Sequence, residues 1–164
     1  MNLHELIKLI EKWAIDRDLD KKGTVKGQLI KTAEKVAELI IGISKDDIDV
    51  FKDSIGDVFV TLVIGNMLDE NSDFDMVVIK AFGRFNMVVE SKFDSVYLLT
   101  YWLNRLLIFK GYTEYESMGL IKCLCVVCDW YDLSLADCIE SAYKEIANRK
   151  GVIKNGSFVK ESDL

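Results

Sequence analysis

Four acidic residues fall on two stretches that read as neighbouring helices. Glu34 and Glu38 lie within KTAEKVAEL, residues 31–39, and Asp53 and Asp57 within FKDSIGDVFVTL, residues 51–62. Side chains four apart share a helix face, so each stretch sets a carboxylate pair beside an otherwise apolar stripe. In an isolated helix such a pair costs only roughly 0.2–0.5 kcal/mol, and Lys31, Lys35 and Lys52 can stitch it into an ordinary solvated face. The same pairs suit a divalent cation. Mg²⁺ prefers carboxylate oxygens and needs one or two of them, completing its shell with waters and substrate phosphates. Asp57 leads into an apolar run, which places its carboxylate near the core, and Gly56 beside it permits close approach by a neighbouring helix.

The elements that must position these residues are helical. The 164-residue chain has no proline, which suits long uninterrupted helices because proline removes a donor and clashes with the preceding turn. Leu3, Ile7, Ile10 and Ile15, with Trp13 beside them, line an opening helix, and LDKKGTVKGQ is a polar break carrying two glycines. Leu29, Ala33, Val36, Ala37 and Ile40 form the stripe of a second helix over about 27–42. Ser44 to Asp49 is a short polar connection whose side chains can cap a third helix over about 48–66. A connection this short makes the two helices an antiparallel hairpin and lets their acidic pairs face each other. The later part of the third helix is apolar on nearly every side, which predicts burial, at a subunit interface among other places.

DFDMVVIKAFGRFNMVVESK and FDSVYLLTYWLNRLLIFKG continue the helical pattern, with GYTEYES as a turn. MGLIKCLCVVCDWYDL and SLADCIESAYKEIANRK follow, the latter with Ser134 as N-cap, and Asn155-Gly156 marks a tight turn in the tail. The chain reads as one all-α domain over residues 1–164.

Composition excludes several function classes. A net charge of −6 is the reverse of the basic surface that a nucleic-acid polymer requires. No apolar run is long and charge-free enough to span a bilayer, and the amphipathic, acid-bearing start MNLHELIKLIEKW is neither a signal nor a transit peptide. The expected location is the cytoplasm. Cys123, Cys125, Cys128 and Cys138 sit on apolar helical runs far from the single histidine, His4, and read as reduced core thiols rather than zinc ligands.

Three stretches resemble a known family. WAIDRDL (residues 13–19), GQLIKTAEKVAEL with KDSIGDVFVTL downstream, and the ending DCIESAYKEIANRKGVIKNGSFVKESDL are similar to the all-α nucleoside triphosphate pyrophosphatases. The likeness is to the MazG-like proteins, especially the short phage and prophage members from low-GC Gram-positive bacteria. Residues 66–117 have no counterpart in that pattern and read as a helical insertion. The resemblance implies a helical bundle that assembles as a homodimer or homotetramer. It also implies Mg²⁺-dependent (or Mn²⁺-dependent) hydrolysis of a nucleoside triphosphate between its α- and β-phosphates.

In the family an E-x-x-E motif on one helix and an E-x-x-D motif on the next hold the metal. Glu38 and Asp57 match the last member of each motif, whereas Lys35 and Ser54 stand where the first members belong. Glu34 and Asp53 each precede the missing residue by one position, and one position turns a side chain about 100° around the helix. The site is therefore expected either to hold one Mg²⁺ through Glu38, Asp57 and a reoriented Asp53, or to have lost catalysis and kept the fold as a binding or assembly module. Glu34 or Glu38 is the candidate general base. Lys31, Arg149 and Lys150 become candidate phosphate contacts, Trp13 a base-stacking ring, and Arg17 and Gln28 further substrate contacts.

Overall fold

The computed structural model describes residues 1–70, 73–84, 87 and 89–164. Among these, eight helices run in order: α1 (Leu3–Ile15), α2 (Leu19–Lys22), α3 (Val25–Lys45), α4 (Ile48–Asp69), α5 (Phe74–Arg84), α6 (Lys92–Phe109), α7 (Glu114–Trp130) and α8 (Leu135–Ala147). An antiparallel hairpin of β1 (Gly151–Lys154) and β2 (Ser157–Lys160) follows. The fold is all-α with this one small sheet among the described residues.

α3 and α4 form the largest helix–helix interface, joined only by Asp46 and Asp47. Asp47 caps α4 by accepting from the Val50 N–H, which satisfies a donor the helix itself leaves orphaned. Contacts between the two helices run in opposing order. Gly42 faces Phe51 near the turn, and Gln28 meets Thr61 at the far end, so the pair is antiparallel as expected.

α4 is the centre of the bundle and also packs on α8 and α1. Its apolar girth, from Val58 to Gly65, is buried within a single chain and so carries no argument for self-association. Exposed apolar side chains occur on several helices, among them Phe93, Tyr97, Tyr101 and Ile108 of α6.

Several expected stripes shift. On α1, Leu6 and Ala14 are buried while Ile15 is half exposed. On α3 the buried line is Leu29, Thr32, Val36, Leu39 and Ile43, and Ala37 faces out. The cause is Thr32, a polar residue drawn into the core by a 2.7 Å hydrogen bond to the Tyr112 hydroxyl. The polar break after α1 is shorter than its two glycines suggest. Thr24 caps α3, and Gly27 lies inside that helix because the hairpin turn presses on it: a Cβ there would stand 2.6 Å from the Asn155 carbonyl oxygen.

In DFDMVVIKAFGRFNMVVESK the helix spans Phe74–Arg84, and the expected helix over Phe85, Asn86 and Val88 lies outside the described residues. The turn before α7 is also shorter than GYTEYES, because Thr113 caps a helix that begins at Glu114. Residues of the 66–117 segment share one core with the rest of the chain, among them Phe74, Leu99, Leu106 and Tyr112, the last with its ring fully buried against Gly65. Free thiols at Cys123, Cys128 and Cys138 are buried and Cys125 half-buried, as packing residues.

Candidate functional site

A cleft of about 260 Å³ opens between the α3–α4 hairpin, the end of α8 and the C-terminal hairpin. Its apolar end is formed by Trp13, Val60, Ile64 and Phe158. Its charged end gathers Lys31, Glu34, Lys35, Glu38 and Asp57 from the helical hairpin, with Glu145, Arg149, Lys160 and Asp163 opposite.

The central relationship is a lysine between two carboxylates. Lys35 Nζ lies 2.9 Å from Glu38 Oε2 and 3.0 Å from Asp57 Oδ2. Lys35 and Asp57 are the most enclosed of the three, their side chains 18% and 17% exposed. Burial works against the ammonium, but Asp57 and Glu38 outweigh it and hold the Lys35 pKa above the ordinary lysine value. A turn earlier, Lys31 Nζ pairs with Glu34 at 2.9 Å, and Glu34 stands at the more exposed rim.

This geometry tests whether a divalent metal fits. Among the described residues no three His, Cys, Asp or Glu side chains are grouped as a metal cluster. Two hard oxygen donors from adjacent helices nonetheless converge on one cationic point, which meets the minimum of one or two carboxylates that Mg²⁺ takes from a protein. In this structure the cation at that point is Lys35.

The remaining expected residues divide. Asp53 is exposed and does not line the cleft. Desolvation, with Glu145 and Asp57 adding repulsion, raises its pKa. One helical step is enough to carry it away from Glu38, so the expected face-to-face arrangement of both acidic pairs reduces to Glu38 and Asp57. Lys150 is exposed and also outside the cleft, its carbonyl accepting from the Glu161 N–H.

Arg17 lies against the Trp13 ring, 4.6 Å from its centroid, and donates to the carbonyls of Trp13, Ala147 and Arg149. It clamps the end of α8, where unsatisfied carbonyls favour a cation. Trp13 itself is buried, donates to the Ile146 carbonyl at 2.7 Å and meets Phe158 edge-on, so it walls the cleft instead of standing free as a stacking platform. Gln28 is buried and donates to the Thr61 carbonyl.

The cleft residues that escaped the sequence reading include Glu145, Phe158, Lys160 and Asp163. The Asn155-Gly156 turn signal predicted the hairpin but not its docking. That docking depends on the Thr24 N–H donating to the Gly156 carbonyl at 2.8 Å.

Comparison with known proteins is narrow. The chain is 51% identical over 63 residues to an uncharacterized 18.2 kDa protein in the rep-hol intergenic region of Haemophilus phage HP1 (strain HP1c1). The match covers 38% of this chain and 39% of that protein. No family model and no solved structure matches. The chain therefore shares a substantial segment with a phage protein.

Proposed function

We propose that the protein is a MazG-like nucleotide pyrophosphohydrolase that converts a nucleoside triphosphate to the monophosphate and pyrophosphate. The observation carrying this reading is the cleft itself, where acids of α3 and α4, Arg149 just beyond α8, Lys160 of the hairpin and an aromatic wall line one space. Lys31, Lys35 and Arg149 bind the phosphates, and the apolar end beside Trp13 and Phe158 receives the base. Glu38 and Asp57 are the residues that would hold Mg²⁺ or Mn²⁺. Bound there, the ion would supply charge neutralisation at the phosphoryl oxygens and acidify a water.

Glu34 is the general base, because Glu38 is assigned to the metal while Lys31, the partner of Glu34, turns to the phosphates. A water oxygen bonds to the α-phosphorus, its proton passes to the Glu34 carboxylate, and the bond from that phosphorus to the bridging oxygen breaks. Pyrophosphate leaves with the electron pair.

Self-association as a homodimer or homotetramer belongs to the same proposal. The exposed apolar face of α6 supports it. Among the described residues no helix is long and apolar enough to cross a membrane, and the four free thiols suit the cytoplasm.

The test is pyrophosphate release from a panel of ribo- and deoxyribonucleoside triphosphates, with and without Mg²⁺ or Mn²⁺. Metal-dependent release from at least one of them is expected, and no release from any would remove the enzymatic reading. One observation favours a second reading: Lys35 stands where the family pattern has a metal ligand and pairs with both acids that remain. On that reading the chain is a non-catalytic helical binding or assembly module.

A further inference from the structure

Every basic side chain lining the charged end of the cleft is paired with an acid lining the same cleft. Lys31 pairs with Glu34, Lys35 with Glu38 and Asp57, Arg149 with Glu145, and Lys160 with Asp163. Four cations thus serve five carboxylates, with Lys35 shared between two of them, so the cleft's charges are largely balanced from within. Such a surface has a specific consequence for what can enter it.

A polyphosphate arriving alone would draw Lys31 and Lys35 toward its oxygens. Glu38 and Asp57 would be left as two adjoining carboxylates without a cation, one of them only 17% exposed. Like charges in a poorly solvated place oppose each other's ionised forms strongly. A divalent cation arriving alone meets the opposite obstacle, because the position between Glu38 and Asp57 already holds the Lys35 ammonium. Displacing that ammonium strands a positive charge whose two acidic partners are both taken.

A ligand that brings both charges avoids each penalty. Its phosphates accept the released ammonium groups while its cation takes the released carboxylates. Lys31 and Lys35 lie four residues apart on α3 and so share the face that meets the phosphates.

We propose that the cleft binds a divalent cation and a polyphosphate only as one complex, with Lys35 as the residue that couples them. Lys35 is a positioning residue here: it guards the carboxylates until phosphate oxygens give its ammonium another place. The coupling is reciprocal, so the polyphosphate strengthens metal binding by the same factor as the metal strengthens polyphosphate binding. This deepens the pyrophosphohydrolase reading and rests on it for the identity of the ligand.

Calorimetric titration of the full chain tests the coupling without measuring turnover. Three ligands are compared: Mn²⁺ alone, α,β-methylene purine and pyrimidine nucleoside triphosphates in EDTA, and the preformed Mn²⁺ complexes of those triphosphates. The complex is expected to bind at least 10-fold tighter than either component. Lys35→Met keeps the aliphatic stem and removes the charge, so it should take Mn²⁺ alone at least 10-fold tighter than wild type. Lys35→Gln serves the same purpose should the methionine variant fold poorly, and the wild-type comparison stands without either.

Binding of Mn²⁺ alone, or of the triphosphate in EDTA, within threefold of the complex would overturn the coupling and leave the nucleotide reading intact. Coupled binding, together with no pyrophosphate release from the unmodified triphosphates, would support the coupling and remove the hydrolytic reading. Absence of binding in all three titrations would overturn both.

Discussion

Gly56 lies directly against the carbonyl oxygen of Cys138: a Cβ at position 56 would stand 2.3 Å from that oxygen and 2.7 Å from Ala142 Cβ. α8 therefore approaches α4 as closely as a bare glycine allows, one residue away from Asp57. Gly56→Ala forces the helices apart and should lower stability by about 2 kcal/mol, with a Tm roughly 4–8 °C lower. Thermal denaturation followed by circular dichroism reads this. A variant as stable as wild type would mean that α8 yields without cost.

Asp57→Asn keeps the shape of the side chain but leaves Lys35 with Glu38 as its remaining carboxylate. The pair lies between the exposed and buried limits, so the stability loss should be roughly 1–3 kcal/mol. Pyrophosphate release, in contrast, should fall at least 100-fold. Urea unfolding and single-substrate kinetics on the same preparation separate the two effects. Equal turnover in the variant would remove Asp57 from the site.

Tyr112→Phe retains the ring over Gly65 and removes the hydrogen bond to Thr32. A cost of about 1 kcal/mol is expected, rising toward the upper end of roughly 1–3 kcal/mol because the Thr32 hydroxyl is left buried. The same tyrosine makes the fold sensitive to alkali. Burial raises its pKa far above the ordinary phenol value, so the folded state keeps a proton that the unfolded state gives up. Its contribution is complete below the unfolded pKa of about 10 and is lost as pH rises above it. Wild type should lose stability above about pH 10 more steeply than Tyr112→Phe, as denaturant unfolding across that range will show.

The cysteines on α7 should be poor nucleophiles in the native protein. Burial pushes the Cys125 thiol up to about 11 and raises Cys123 further. Because the thiolate is the reacting form, labelling of Cys125 at pH 8 should be on the order of 100-fold slower than for an ordinary cysteine. Both residues should label quickly once the chain is unfolded. Peptide mapping after timed alkylation distinguishes them from Cys128 and Cys138.

The helical hairpin was legible because its signals are local. Asp47 caps α4 from inside the short polar link, Ser134 caps α8, and Asn155 and Gly156 carry the positive φ angles of a tight turn. The partners of polar residues were not legible, because they lie far off in the chain. Thr32 reads as a surface position until Tyr112, 80 residues later, supplies its hydrogen bond.

The candidate site divides along the same line. Glu38 and Asp57 could be paired from spacing and family likeness, and Lys35 could be flagged as foreign to the motif. That Lys35 would bridge both acids, that Asp53 would turn outward, and that Arg17 would clamp α8 all depend on how α3, α4 and α8 pack. Side-chain period alone cannot fix that. Phe158 carried no signal at all, since a lone aromatic in a short strand says nothing about where its hairpin docks.

The hydrogen bond from Trp13 to the Ile146 carbonyl spans 133 positions of the chain, and the Phe158 ring that meets Trp13 comes from farther still. The ion pair of Lys31 with Glu34, by comparison, closes within one helical turn. The lysine–acid pairs of α3 and α4 and the aromatic wall therefore belong to different stages of chain organisation. Local contacts form with little loop entropy to overcome, whereas closing so long a loop must wait until the intervening helices have shortened it. A newly made chain acquires its charged motif as soon as the α3–α4 hairpin folds, and the aromatic wall only when its two distant ends meet. Between those moments it displays the acids and lysines of α3 and α4 without the aromatic wall beside them.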